Sequence, residues 1–137
     1  TYPQKEMASL LGTTTSGTSG AQICNTLNSL LSKTSDTRRF QRVTISTAAL
    51  ETSVRSSLRN DFPLTLNVKE MPNYTSGSGH FIAVKGYYFN TSTDFKTITI
   101  CDPHPTYSGT YTYTLEEMET AVESSNGYYN RLDASTV

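Results

Sequence analysis

Gly79-His80-Phe81-Ile82-Ala83-Val84-Lys85-Gly86-Tyr87, followed after a short interval by Thr97-Ile98-Thr99-Ile100-Cys101-Asp102-Pro103, decides how this chain is read. In the first run His80, Ile82, Val84 and Gly86 fall on one side, and Phe81, Ala83 and Lys85 on the other. That alternation is the period of a β-strand. The second run is rich in β-branched residues and stops at Asp-Pro, where a residue without an N–H ends a ladder. The polar stretch from Asn90 to Phe95 between the two strands predicts a hairpin, and hence antiparallel pairing. The start of the first strand then lies beside the end of the second, which places His80 next to Asp102. A carboxylate that holds one ring nitrogen of an imidazole leaves the other free to act as a base. This is half of a nucleophilic catalytic site.

Upstream, Tyr2-Pro3-Gln4-Lys5-Glu6-Met7-Ala8-Ser9-Leu10-Leu11 reads as a short helix with Pro3 near its start and Gly12 as its stop. Thr13 to Gly20 is built of Thr, Ser and Gly, and its position between two helices predicts an ordered loop. A second helix follows from about Ala21 to Ser32, capped by Ser19 or Gly20. Its expected buried stripe is Ile23, Leu27, Leu30 and Leu31, with Cys24 at the edge. Val43-Thr44-Ile45 is a brief strand, preceded by Arg38, Arg39 and Arg42 on a solvated edge. Thr47 to about Leu58 is a helix with Leu50, Val54 and Leu58 facing inward. Phe62 to Lys69 alternates as a strand. Met71 to Gly79 reads as a turn-rich loop that delivers the chain to His80.

Downstream, Asp102-Pro103-His104-Pro105 is a stiff corner and Thr110 to Thr114 a strand. Thr114 caps a helix with Glu116 and Glu117 in its first turn and Leu115, Met118 and Val122 facing the core. After Asn126-Gly127 the tail is open between a last strand and a frayed end. The order predicts an α+β domain, with N-terminal helices packed on a meander of antiparallel strands. At 137 residues, with no internal repeat, it is one domain.

Composition excludes several classes. The net charge is -1 and charged residues make up only 17%, so no basic surface suits a phosphate backbone and nucleic acid is not an expected partner. No apolar run reaches transmembrane length. Few charges and many hydroxyls and tyrosines suit an exported bacterial protein, which predicts an extracellular location. Cys24 and Cys101 allow one disulfide; two separate thiols are the alternative. A structural domain stapled by that bond is a further reading.

The chemistry has rivals. His80, Asp102 and His104, with Cys101 nearby, could converge on a metal ion. No paired-cysteine or HExxH spacing supports this, so no metal or other cofactor is expected. The nucleophile is not evident. Cys24 lies past the first turn of its helix on an apolar stripe, Cys101 should face away from Asp102, and no nucleophile-elbow pattern accompanies any serine.

The Gly79–Tyr87 run, the strand ending in Asp102-Pro103, and Ser108-Gly109-Thr110-Tyr111 together resemble the C39-like peptidases, a papain-like group of cysteine proteases. Tyr2-Pro3-Gln4 through Ala8, Leu11-Gly12-Thr13, Gly17-Thr18, Leu27-Asn28 and Phe62-Pro63-Leu64 extend the resemblance from Tyr2 to about Ala121. It implies a papain-like fold, a peptide or protein substrate, His80 as the catalytic histidine and Asp102 as its orienting aspartate. It also implies a nucleophilic cysteine on a helix before the region matching Tyr2, carried by a preceding or separate segment, because neither Cys24 nor Gln4 matches the family's cysteine or oxyanion-hole glutamine. A catalytically inactive module that binds a peptide or protein through the cleft and a tyrosine-rich surface (Tyr87, Tyr88, Tyr107, Tyr111, Tyr113) is the competing expectation.

Overall fold

The structure is a computed structural model and describes residues 3–133. These form an α+β domain with helices α1 (Gln4–Leu11), α2 (Gly20–Leu31), α3 (Thr47–Arg59) and α4 (Leu115–Glu123). The strands are β1 (Arg39–Thr44), β2 (Leu64–Met71), β3 (Tyr74–Asn90), β4 (Phe95–Asp102), β5 (Gly109–Thr114) and β6 (Tyr128–Asp133). They make one antiparallel sheet in the order β1-β6-β2-β3-β4-β5. The expected meander therefore holds only from β2 to β5. The C-terminal strand is neither frayed nor at the margin, since it is inserted between β1 and β2. The start of the first helix at Tyr2 and the last four residues lie outside the described residues.

One face of the sheet carries the core. Leu64, Leu66, Val68, Ile82, Val84, Ile98, Ile100 and Tyr129 pack there against Leu50 and Val54 of α3 and Leu115, Met118, Ala121 and Val122 of α4. Burying each large aliphatic side chain contributes about 2 kcal/mol. The strand period explains the selection, because alternate residues of β2 are buried and those between them are not. In β3 the period holds through Ile82 and Val84, then slips at a bulge between Val84 and Gly86, after which Tyr87 and Phe89 pack against the core. A buried polar knot ties α3 to β6: Tyr129 donates to the Ala49 carbonyl at 3.0 Å, meets Ser53 Oγ at 2.6 Å, and Arg131 donates to Ser53 Oγ at 2.9 Å.

The N-terminal helices follow a different rule from the one their leucines suggest. α2 packs on β1 and β6, and α1 lies on α2 with no buried residue of its own. The buried residues of α2 are Gly20 and Cys24, while Ile23, Leu27, Leu30 and Leu31 are only partly covered. The close face is the row Gly20, Cys24, Asn28, spaced one turn apart. Gly20 lies over Asn130 and Arg42, where a Cβ would make ordinary contact at 3.7 and 3.8 Å, and the Asn130 amide donates to the Gly20 carbonyl at 3.4 Å. Asn28 pairs with the backbone of Phe40, accepting its N–H at 2.6 Å and donating to its carbonyl at 2.9 Å. Ser19 caps α2 through a reciprocal bond with Gln22, and Gly12 ends α1 in a left-handed conformation at φ 66°.

The tyrosine-rich surface is not continuous. Tyr88 and Tyr107 are exposed, but Tyr87, Tyr111 and Tyr113 are partly buried against the core. Cys24 and Cys101 are separate thiols, so no disulfide staples the domain.

Candidate active site

The β3–β4 ladder builds the site. Ala83 pairs with Cys101 and Val84 with Ile100, and continuing that register sets Asp102 opposite Ile82. His80 is two residues before Ile82 on the same face, a diagonal neighbour within reach of a carboxylate. The contact is made: His80 Nε2 lies 2.6 Å from Asp102 Oδ1, with the Asp102 side chain fully buried and His80 17% exposed.

His80 does not begin its strand. β3 starts six residues earlier at Tyr74, after a tight Pro72-Asn73 turn, and the expected loop is replaced by an extended hairpin with a bulge. Val68 pairs with His80 and Glu70 with Thr75, so Ser76 to Gly79 bulge out against Lys69 alone. Gly79 takes φ +94°, in the left-handed region, and Ser76 Oγ donates to the Gly79 carbonyl at 3.0 Å. The bulge aims His80 toward the end of β4.

Asp102 accepts three hydrogen bonds. Besides His80, the His104 backbone N–H donates to Oδ1 at 2.8 Å, and the Tyr74 hydroxyl donates to Oδ2 at 2.6 Å. Burial pushes the Asp102 carboxyl up, but the donors Tyr74, His80 and the His104 amide outweigh it and hold the carboxyl below its ordinary value. Asp102 is thus an acceptor, which puts the His80 proton on Nε2 and leaves Nδ1 unprotonated in the neutral ring. Burial, and then the bond to Asp102, push the Tyr74 hydroxyl well above the usual phenol range, so it stays a donor.

Two spaces flank the pair. A cavity of about 560 Å³ opens beside His80, lined by Thr14, Ser16 to Ser19, Gln22, Asn67, Ser78, Gly79, Phe81, Ser125 and Asn126. Its lining is polar, and apart from His80 it carries no ionisable side chain. A shallower depression lies along Thr65, Phe81, Ala83, Cys101 and Pro103.

Neither cysteine joins the pair. Cys24 Sγ donates to the Phe40 carbonyl at 3.1 Å under α2, and burial pushes its thiol up despite Arg42 nearby. Cys101 is adjacent to Asp102 on β4 and therefore faces the other side of the sheet. Among the described residues no three His, Cys, Asp or Glu side chains are placed to hold a metal ion. The His104 ring lies 5.4 Å from that of His80, but its Nδ1 is taken by the amides of Thr106 and Tyr107, at 3.1 and 3.3 Å.

Sequence reasoning missed Tyr74. Its one signal was the Pro72-Asn73 pair, a good turn dipeptide that makes Met71 and Tyr74 the closing positions of a hairpin.

An antiparallel sheet backed by helices, with an imidazole and a carboxylate bonded across adjacent strands beside a polar cavity, makes up this α+β domain. The chain belongs to the C39-like peptidases: the profile described as the Peptidase_C39 like family matches residues 1–136. Comparison with curated proteins and with solved structures gave no match. Family membership supports a cysteine-peptidase-like function with peptides as the class of substrate. No helix among the described residues is long and apolar enough to cross a membrane.

Proposed function

We propose that this chain supplies the base and its orienting carboxylate to a Cys-His-Asp peptidase site. The hydrogen bond between His80 and Asp102 carries the reading. His80 Nδ1 takes the proton of a cysteine thiol, and the thiolate attacks a peptide carbonyl. The imidazolium then returns the proton to the leaving amine, and water releases the acyl group by the same steps. Asp102 holds the tautomer and stabilises the imidazolium. The thiol comes from a segment preceding Thr1 or from a separate chain, because Cys24 is buried under α2 and Cys101 faces the wrong side of β4.

The test supplies that segment. The chain is joined to, or mixed with, a preceding segment carrying the cysteine, and cleavage of a peptide library is followed by mass spectrometry. Cleavage is expected, with loss in His80→Ala. Cleavage unchanged in that variant would overturn the assignment.

The same placement of the two cysteines favours a second reading, an inactive module that binds a peptide in the cavity beside His80. Peptide binding without cleavage, in the presence of the preceding segment, would select it. We also propose an extracellular location from the charge-poor, hydroxyl-rich composition, to be tested by fractionating cells and medium.

A further inference from the structure

Tyr74 is 8% exposed and lies directly behind the carboxylate. Asp102 Oδ1 already receives two donors, His80 Nε2–H and the His104 amide. A carboxylate held through one oxygen can still turn, because its terminal torsion is broad and nearly two-fold. The Tyr74 hydroxyl, at 2.6 Å from Oδ2, removes that freedom and sets the plane. The phenol ring is held in turn. Tyr107 stacks on it with centroids 4.7 Å apart and planes 4° from parallel, and His104 leans on it at 4.6 Å. Tyr107 is 40% exposed, so it forms the outer plate over the Tyr74 ring, whose hydroxyl reaches the fully buried Asp102 side chain. Water admitted here would compete for the oxygens that hold the imidazole.

We propose that Tyr74 is a positioning residue: its O–H locks the Asp102 carboxylate so that Oδ1 takes the His80 Nε2 proton, and the Tyr107 ring shields that lock from water. The inference rests on His80 acting as the base through Nδ1. Its readout is the imidazole itself and needs no nucleophile.

The chain has only two histidines, so ring nitrogen and proton NMR of ¹⁵N-labelled protein resolves them. In the unaltered chain His80 should show one neutral tautomer, protonated at Nε2, with a slowly exchanging proton. Tyr74→Phe keeps the stacked ring and removes the donor. It should give a mixture of tautomers and exchange faster by about tenfold or more, the loss expected for a bond to a charged group. Tyr107→Leu should keep the tautomer and speed exchange. An unchanged tautomer and exchange rate in a folded Tyr74→Phe protein would overturn the proposal. If that variant does not fold, an unchanged exchange rate in Tyr107→Leu overturns it instead. Asp102→Ala, which removes both acceptor oxygens, separates the two levels. If it leaves the His80 tautomer untouched, the His80–Asp102 pair fails and the peptidase reading with it. If it alters the tautomer while Tyr74→Phe does not, only the role of Tyr74 falls.

Discussion

His80 and Asp102 stand on neighbouring antiparallel strands with Nε2 and Oδ1 2.6 Å apart, and the carboxylate is the buried member. Every other donor to Asp102 is also fixed, one from the backbone and one from a stacked phenol. Asp102→Asn is therefore not a neutral exchange. An amide has one acceptor, so its NH₂ must face the Tyr74 hydroxyl or the two donors at Oδ1. The variant should lose about 1–3 kcal/mol of stability, the penalty for unsatisfied buried polar groups. With the thiol-bearing segment supplied, kcat should fall by roughly 10³-fold or more, as when an orienting carboxylate is lost from a triad. Urea unfolding and peptide-cleavage kinetics check the two parts separately.

Stability should fall in acid, and Asp102 should account for part of it. Its folded pKa lies below the ordinary value, so the unfolded chain takes the proton first as pH drops. The stabilisation is fully present above about pH 4 and is lost as pH falls through the folded value. Urea midpoints at pH 7 and at pH 3 measure it. Asp102→Asn should flatten the difference between them; an unchanged difference would assign the acid sensitivity to other carboxylates.

Asn28→Ala should destabilise the domain without touching the site. The substitution leaves the Phe40 N–H and carbonyl without the partners that α2 now supplies. The Cys24 thiol, at 3.1 Å from the same carbonyl, can replace one of them only weakly. A cost of about 1–3 kcal/mol is expected, with the His80 ring signals unmoved. Denaturant unfolding and NMR of the same sample report both.

The two thiols should react unequally. Cys24 is buried and its thiol is pushed up, first by burial, whereas Cys101 is partly exposed at the rim of a surface depression. Alkylation by iodoacetamide at neutral pH, followed by peptide mass spectrometry, should modify Cys101 well before Cys24. Equal rates would show that α2 opens readily from β1.

The pair at the centre of the site was legible because it needs only two rules. A strand alternates with period two, and a short polar connection makes a hairpin, so His80 and Asp102 had to meet. Tyr74 was illegible because Met71 to Gly79 is rich in Pro, Gly and Ser and matches a loop by composition. The bulge of Ser76 to Gly79 conceals a strand that resumes on either side of it. α2 was misread for a different reason. Hydrophobicity selected its leucines, but the face against the sheet is held by hydrogen bonds, from Cys24 and Asn28 to the Phe40 backbone and from Asn130 to the Gly20 carbonyl, which a hydropathy pattern does not display. β6 could not be placed from its own residues, because insertion between β1 and β2 is a long-range pairing with no local signature.

Asn28 has a consequence for how these molecules meet each other. Its carboxamide occupies the hydrogen-bonding groups of Phe40 that a foreign strand would need. The β1 margin is thus closed at Phe40 by a side chain of the same molecule. The opposite margin, Gly109 to Thr114, holds neither a charge nor a proline, and among the described residues no strand pairs with its outer side. The β5 margin is thus where another strand would find free backbone groups, whereas at Phe40 those groups are already taken.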